Sequence, residues 1–374
     1  MSNIKQSGQL TTKKKKLANE KNILKISISL ALVFAISLII NSSLFAQALG
    51  GGFSQSYMFR SPGGRPSGMA GAFTGVANDA YAIYYNPAGL SFLEYNPSIF
   101  VSSKSVGYGR AFSTLVYGQE IMPNLGIGAG LTNFMGGSFI ARDVNGNPYG
   151  EVTDMHFGAN VAASYSMEFM SLGVGLKYLN NTLTNSNIGG TGFGVDIGMK
   201  SNVDLGKFGS YSLGACVQNI GGMMLWDGED VEAQDLLPYC VRIGVGMEFP
   251  LNASTIETRS EVTGELETVT KAATRYVLLD FDMVHYQFSV APEFIVGFDA
   301  NLHEIIAFRG GLCLWGEKEG ETQFLPWTTW SGGFALRPSP YLDLPFTLSI
   351  EYNISNEYVS YTGLGHQITL MFAF

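Results

Sequence analysis

Charge is the scarcest ingredient of this 374-residue chain. Only 14% of it is Asp, Glu, Lys or Arg, against roughly 25% in an ordinary soluble domain. So few charges cannot cover a water-facing surface of that size, which argues against a water-soluble globule. Long hydrophobic runs are missing as well. Although 46% of the residues are hydrophobic, no stretch beyond the N-terminal region approaches the roughly 20 apolar residues that a membrane-crossing helix needs. Cysteine is confined to Cys216, Cys240 and Cys313. An odd count without metal-type spacing excludes a complete disulfide framework, so the three read as small strand residues, with a Cys216 to Cys240 contact across one hairpin as the alternative. The four histidines, His156, His285, His303 and His366, are scattered without the spacing of a zinc or iron site, so no metal or other cofactor is expected.

What remains is a chain rich in glycine and aromatics, with 46 Gly, 25 Phe and 18 Tyr. An apolar composition without long apolar runs fits a transmembrane β-barrel, in which lipid-facing and lumen-facing residues alternate. The first 48 residues read as a targeting segment that is removed. Six lysines from Lys13 to Lys25 precede an apolar run from Ile26 to Ile40 and then the small-residue stretch Phe45, Ala46, Gln47, Ala48. Cleavage is expected after Ala48, with a retained anchor as the alternative. Residues 1–48 carry seven Lys and one Glu, so removing this +6 from the overall −9 leaves a mature charge of −15. That acidic balance argues against nucleic-acid partners.

From residue 97 onward the chain divides into segments of about ten residues with period-two alternation, separated by Gly, Asn, Asp and Pro clusters. Phe346, Leu348, Ile350 and Tyr352 share one face, opposite Thr347, Ser349, Glu351 and Asn353. Phe193, Val195, Ile197 and Met199 stand opposite Gly194, Asp196, Gly198 and Lys200 in the same way. The spacing predicts about fourteen antiparallel strands, at 97–103, 110–118, 124–135, 155–167, 170–181, 191–203, 210–220, 238–249, 274–284, 292–301, 304–315, 328–337, 345–354 and 363–374. If the first strand rises from the periplasm, the longer connections, 136–154, 221–237 and 316–327, become outer loops and the tight turns face the periplasm. The Glu- and Thr-rich stretch 250–273 dissents as a long periplasmic excursion. The final strand sets Ile368, Leu370, Phe372 and Phe374 on one face, and its closing aromatics Phe372 and Phe374 resemble the signal by which outer-membrane insertion machinery recognises its clients.

Candidate chemistry is thin. Asp280 and Asp282 share a strand face as paired carboxylates would, but nothing nucleophilic stands beside them, so a solvated lumen face is the expectation and an enzyme is not. Gly126, Gly128 and Gly130 imitate part of a dinucleotide fingerprint without its crossover helix and read as small lumen-facing residues. The alternation turns Lys177, Asp196, Lys200, Arg242, Glu248, Asp280, Asp282, Glu293, Asp299, Arg309, Arg337 and Glu351 inward, where they tune a pore, latch a plug or simply fill the interior. Tyr117, Tyr178, Trp315, Trp327 and Trp330, near strand ends, suit interfacial girdles in contact with outer-membrane lipid.

Residues 63–91 do not alternate. They are dense in Gly and Ala, which permits close backbone packing, and Asn86-Pro87 marks a turn before the first strand. The arrangement Arg65, Gly68, Met69, Gly71, Ala72, then Ala77, Asp79, Ala80, then Tyr85-Asn86-Pro87-Ala88-Gly89-Leu90 resembles the N-terminal signature of the PorV/PorQ family, relatives of the FadL-type fatty-acid transporters. The resemblance continues through Gln218-Asn219-Ile220-Gly221-Gly222, Leu237-Pro238 and residues 334–374. It departs at Pro66, at Ala70 and in the 250–273 excursion. It implies residues 97–374 as a fourteen-stranded outer-membrane barrel and residues 49–96 as a plug folded into the lumen, with Asn86, Pro87 and Ala88 part of that plug. It also implies either of two roles: passage of small hydrophobic molecules, or binding of type IX secretion proteins.

Overall fold

The computed structural model describes residues 58, 60–185, 188–228, 231–252, 254–259, 266–271, 273–287, 289, 291–318, 321–324, 330–342, 344–356 and 363–374, for some of them the backbone alone. The expected targeting segment 1–48 and Trp327 lie outside these residues, as does the side chain of Trp315. The strands in chain order are β1 (Ser98–Ser105), β2 (Ala111–Met122), β3 (Leu125–Arg142), β4 (Pro148–Ser166), β5 (Ser171–Leu183), β6 (Gly189–Asp204), β7 (Ser210–Gly228), β8 (Val231–Leu236) and β9 (Cys240–Pro250). They continue as β10 (Ser254–Arg259), β11 (Leu266–Lys271), β12 (Tyr276–Tyr286), β13 (Glu293–Asn301), β14 (Ile306–Lys318), β15 (Glu321–Phe324), β16 (Trp330–Leu336), β17 (Thr347–Asn356) and β18 (Gly365–Ala373).

Fourteen of these strands form a closed antiparallel barrel. Omitting β8, β10, β11 and β15, each strand pairs with the next, and β1 closes the ring on β18 with Ser98 opposite Ala373 and Ser105 opposite His366. Closure satisfies every strand edge, the condition for crossing hydrocarbon with β-structure. Among the described residues no helix is long and apolar enough to cross a membrane. The alternation in the sequence becomes an inside-out burial pattern. On β17, Ser349, Glu351, Asn353 and Ser355 are buried while Ile350 is 40% exposed. On β18, Gln367, Thr369 and Met371 are buried while Ile368 is 57% exposed. Apolar side chains thus stand outward toward lipid and polar ones inward, as expected of an outer-membrane barrel. Phe374 faces outward and joins Phe372 around the Phe346 ring, with centroids 5.8 and 6.0 Å away. Its N–H donates to the carbonyl of Pro97 at 3.1 Å, tying the chain end to the base of β1.

The ends of the barrel differ from the sequence expectation in one respect. The end bearing the start of β1 and residue 374 has mostly short turns and is taken as periplasmic. At the opposite end, most of what was expected as long outer loops is strand. β3 and β4 continue as a hairpin to Arg142 and Pro148, β7 runs on to pair with β8, and β14 runs on to pair with β15. In the β3–β4 extension the adjacent residues Phe139 and Ile140 are both exposed, so strict period-two patterning does not reveal it. The 250–273 excursion contains a separate two-stranded hairpin, β10 with β11, in which Ile256 pairs with Val269. Cys216 and Cys240 lie on the neighbouring strands β7 and β9, offset by two residues, and all three cysteines are buried and outside any disulfide among the described residues.

Candidate functional site in the barrel lumen

The principal hydrophobic core lies inside the barrel and is supplied largely by residues 69–90. Met69, Phe73, Val76, Ala77, Ala80, Tyr81, Ile83, Tyr85 and Leu90 form one buried cluster with inward-facing residues of the wall such as Phe100 and Val116. The segment winds through a short helix α1 (Gly64–Gly68), a second turn α2 (Ala82–Tyr85) and a 3-10 helix, Pro87–Phe92. Pro87 at its first position loses no hydrogen bond there, and the Asn86 side chain caps it by accepting from the Ala88 N–H at 3.2 Å. The same Asn86 amide donates to the carbonyls of Thr74 at 3.3 Å and Met199 at 2.9 Å, joining two turns of the segment to β6. Inward-facing glycines admit it: a Cβ at Gly126 would fall on the Leu90 carbonyl, and one at Gly311 on the Met69 backbone. Gly128 and Gly130 face Leu90 and Tyr84 in the same stripe.

Charged side chains hold the segment from three sides. Arg65, 4% exposed, donates from Nε to Asp299 at 2.7 Å and from Nη1 to Asn78 at 2.6 Å, and reaches Glu94 at 3.4 Å and Asp79 at 3.7 Å. Asp299 also meets Arg309 at 3.4 Å, and Arg309 pairs with Glu351 at 2.9 Å. Asp282 is the densest anchor. One of its oxygens accepts from the backbone N–H groups of Phe73 and Thr74 at 3.0 Å each, from the Thr74 hydroxyl at 2.6 Å, and from Arg242 at 3.3 Å. Arg242 also donates to the Gly71 carbonyl at 2.8 Å and lies 5.0 Å from the centre of the Tyr85 ring. Asp280 accepts from the Val76 N–H at 3.1 Å, and Lys200 donates to the Val76 and Ala77 carbonyls. Burial pushes the Asp79 carboxyl up to about 6, against the pull of Arg65 and of the Tyr81 N–H.

The expectation of a solvated face for Asp280 and Asp282 is therefore corrected. Both are almost fully buried and bind backbone amides of the segment, a use of carboxylates in pairs that needs neither nucleophile nor metal. Of the other inward charges, Lys177 pairs with Asp196 at 2.9 Å, away from the Arg65 cluster, and donates to Asn219, which stands at a left-handed φ of 60° where β7 departs from regular pairing with β6. Glu248 lines a polar cavity of about 340 Å³ beside Lys200 and Phe92. Met69 packs against Gly297 and Gly311, and the Gly68 carbonyl accepts from Ser331 at 2.8 Å. The sequence does not single out Asn78, Glu94, Ser331 or Asn353. Asn353 donates to the Gly64 carbonyl at 2.9 Å. Position on an inward strand face is the one signal that marks Ser331 and Asn353. Tyr178 faces outward and meets Phe193 at 5.5 Å, as a girdle residue would.

Toward the outer end the lumen turns apolar. Phe112, Phe134 and Val106 cluster on one side of Met58, and Leu179, Met224 and Leu237 on the other. No group of His, Cys, Asp and Glu with the arrangement of a metal site occurs among the described residues.

No protein-family model and no curated protein matches the chain. Solved structures do. The Pseudomonas putida toluene transporter TodX superposes with a TM-score of 0.54 at 11% identity, over 84% of this chain and 99% of that one. The CymD monoaromatic hydrocarbon channel gives 0.50 at 12% identity, over 84% and 98%. A Pseudomonas aeruginosa FadL homologue gives 0.50 at 10% identity, again over 84% and 98%. Closed ring, inside-out burial and these superpositions together give the chain the fold of the FadL-like outer-membrane β-barrels.

Proposed function

We propose that this barrel is a gated passage for small hydrophobic molecules across the outer membrane, of the PorV/PorQ type within the FadL-like fold, and that residues 60–96 are its gate. The observation that carries the reading is the division of the lumen. Two apolar clusters, Phe112 with Phe134 and Leu179 with Met224, both packed on Met58, stand above a segment that packs its own apolar side chains into the lumen and is anchored to the wall by ion pairs and hydrogen bonds that belong to no strand ladder. The structural neighbours are a toluene transporter and a monoaromatic hydrocarbon channel, and an apolar aromatic solute matches the apolar chemistry of these clusters. Cells expressing the barrel should take up a radiolabelled monoaromatic hydrocarbon faster than cells lacking it. Phe112→Asp, which puts a charge into the apolar cluster on Met58, should lower that uptake roughly tenfold, because an unpaired buried charge costs several kcal/mol. Uptake equal to the vector control would refute the reading.

A second reading, docking of secretion proteins, draws on the strand extensions β7–β8 and β14–β15 and on the β10–β11 hairpin, all of which stand outside the fourteen-stranded ring. Pull-down from native membranes separates the two: co-purifying secreted cargo or a peptidase subunit favours docking, and a lone barrel favours passage.

A further inference from the structure

At the periplasmic mouth a second cavity, of about 640 Å³, opens between the end of the lumenal segment at Glu94 and the connection from β16 to β17. Arg337 forms part of its wall and is 8% exposed. Its Nη1 donates to Asn301 at 2.9 Å, and its Nε has no hydrogen-bond partner among the described residues. Arg65, Arg242 and Arg309 each have a carboxylate within ion-pair distance; among the described residues Arg337 has none. A buried guanidinium with an open donor calls for an anion, and its planar fork suits a phosphate. An anion alone would nevertheless be repelled by the exposed Glu304 in the same wall, whereas Glu94 there already meets Arg65 at 3.4 Å and accepts from the Tyr276 hydroxyl at 3.3 Å. A ligand carrying both charges removes that conflict. The cavity also extends to Leu344, Phe346 and Phe374, and Phe346 stacks with Phe372 and Phe374 on the lipid side of the rim.

We propose that this cavity seats a periplasmic-leaflet phospholipid whose headgroup joins a phosphate to a primary ammonium. The phosphate lies on Arg337, the ammonium donates toward Glu304, and the acyl chains pass over the rim along Phe346 and Phe374. The site stands apart from the apolar clusters around Met58 and holds whether or not the barrel passes solutes. A quaternary ammonium has no N–H to donate and a purely anionic headgroup meets Glu304, so both should bind less well.

The test is lipid titration of the full chain in dodecyl maltoside, followed by native mass spectrometry. Phosphatidylethanolamine should bind about tenfold more tightly than phosphatidylglycerol, with phosphatidylcholine between them. Arg337→Gln should weaken phosphatidylethanolamine by about tenfold or more, and Glu304→Gln should erase its advantage over phosphatidylglycerol. Glu304 sits in an exposed turn, so that variant decides the matter even if Arg337→Gln fails to fold, which heat-dependent gel mobility reports. Equal or tighter binding of phosphatidylglycerol, full affinity in a folded Arg337→Gln protein, or competition by laurate as strong as that of the lipid would each overturn the proposal, the last by making the cavity a solute site.

Discussion

Replacing Asp282 by alanine should loosen the lumenal segment more than any other single substitution. One Asp282 oxygen receives two backbone N–H groups, a hydroxyl and a guanidinium, and hydrogen bonds to a charged group contribute roughly 1.5–3 kcal/mol each, without strict additivity. Losing the carboxylate also leaves Arg242 buried without its ion partner, a defect that costs about 3–5 kcal/mol. The strands need not separate, because three of the four bonds run from the wall to the segment and the fourth, from Arg242, joins side chains of the paired strands β9 and β12 without belonging to their backbone ladder. A cysteine placed at Ala72, which is fully buried, should then react with a water-soluble maleimide about a hundredfold faster than in the parent, equivalent to roughly 2.8 kcal/mol at 1.4 kcal/mol per tenfold. Asp282→Asn, which keeps an acceptor but loses the charge, should fall between. An unchanged rate in the alanine variant would mean that Asp282 does not hold the segment.

Gly126→Leu probes the same seating by shape alone. Its Cβ would land on the Leu90 carbonyl, which is backbone and cannot swing aside. Overpacking of a filled interior costs about 1–3 kcal/mol when the surroundings can adjust, and here adjustment means moving the 3-10 helix Pro87–Phe92. A cysteine at Ala88 should become reactive in this variant while the barrel keeps its heat-dependent gel mobility. Gly332→Leu is the matched control: its nearest neighbour to an added Cβ is the Arg309 carbonyl at 3.7 Å, ordinary contact, and its reactivity should equal the parent's. Equal effects at Gly126 and Gly332 would mean that the glycine stripe is not a seat for the segment.

Fourteen strands were readable from alternation because lipid on one side and a filled lumen on the other impose opposite demands on successive residues. The alternation weakens where the lipid ends, which is why β3 and β4 beyond the bilayer, β8 and β15 read as loops. The direction of Lys200, Arg242, Asp280 and Arg309 followed from the same parity. Their partners did not. Which turn of an irregular segment meets which strand depends on the folded path of residues 60–96, so the bond from Asp282 to the Phe73 and Thr74 amides, or from Arg65 to Asp299, has no local signature. Asp280 and Asp282 were accordingly read as solvated. Neutral contacts such as Ser331 to Gly68 and Asn353 to Gly64 were harder still, since nothing distinguishes them from other polar residues on an inward face.

On the reading proposed above, residues 60–96 close the barrel. Planar-bilayer recordings of the full chain and of a chain lacking residues 64–92 test it most directly. The full chain should be electrically silent, and the deletion should give stepwise openings, since a fourteen-stranded ring emptied of its core leaves a polar, water-accessible lumen. Matching currents from the two chains, at a time when gel mobility shows both barrels folded, would contradict it.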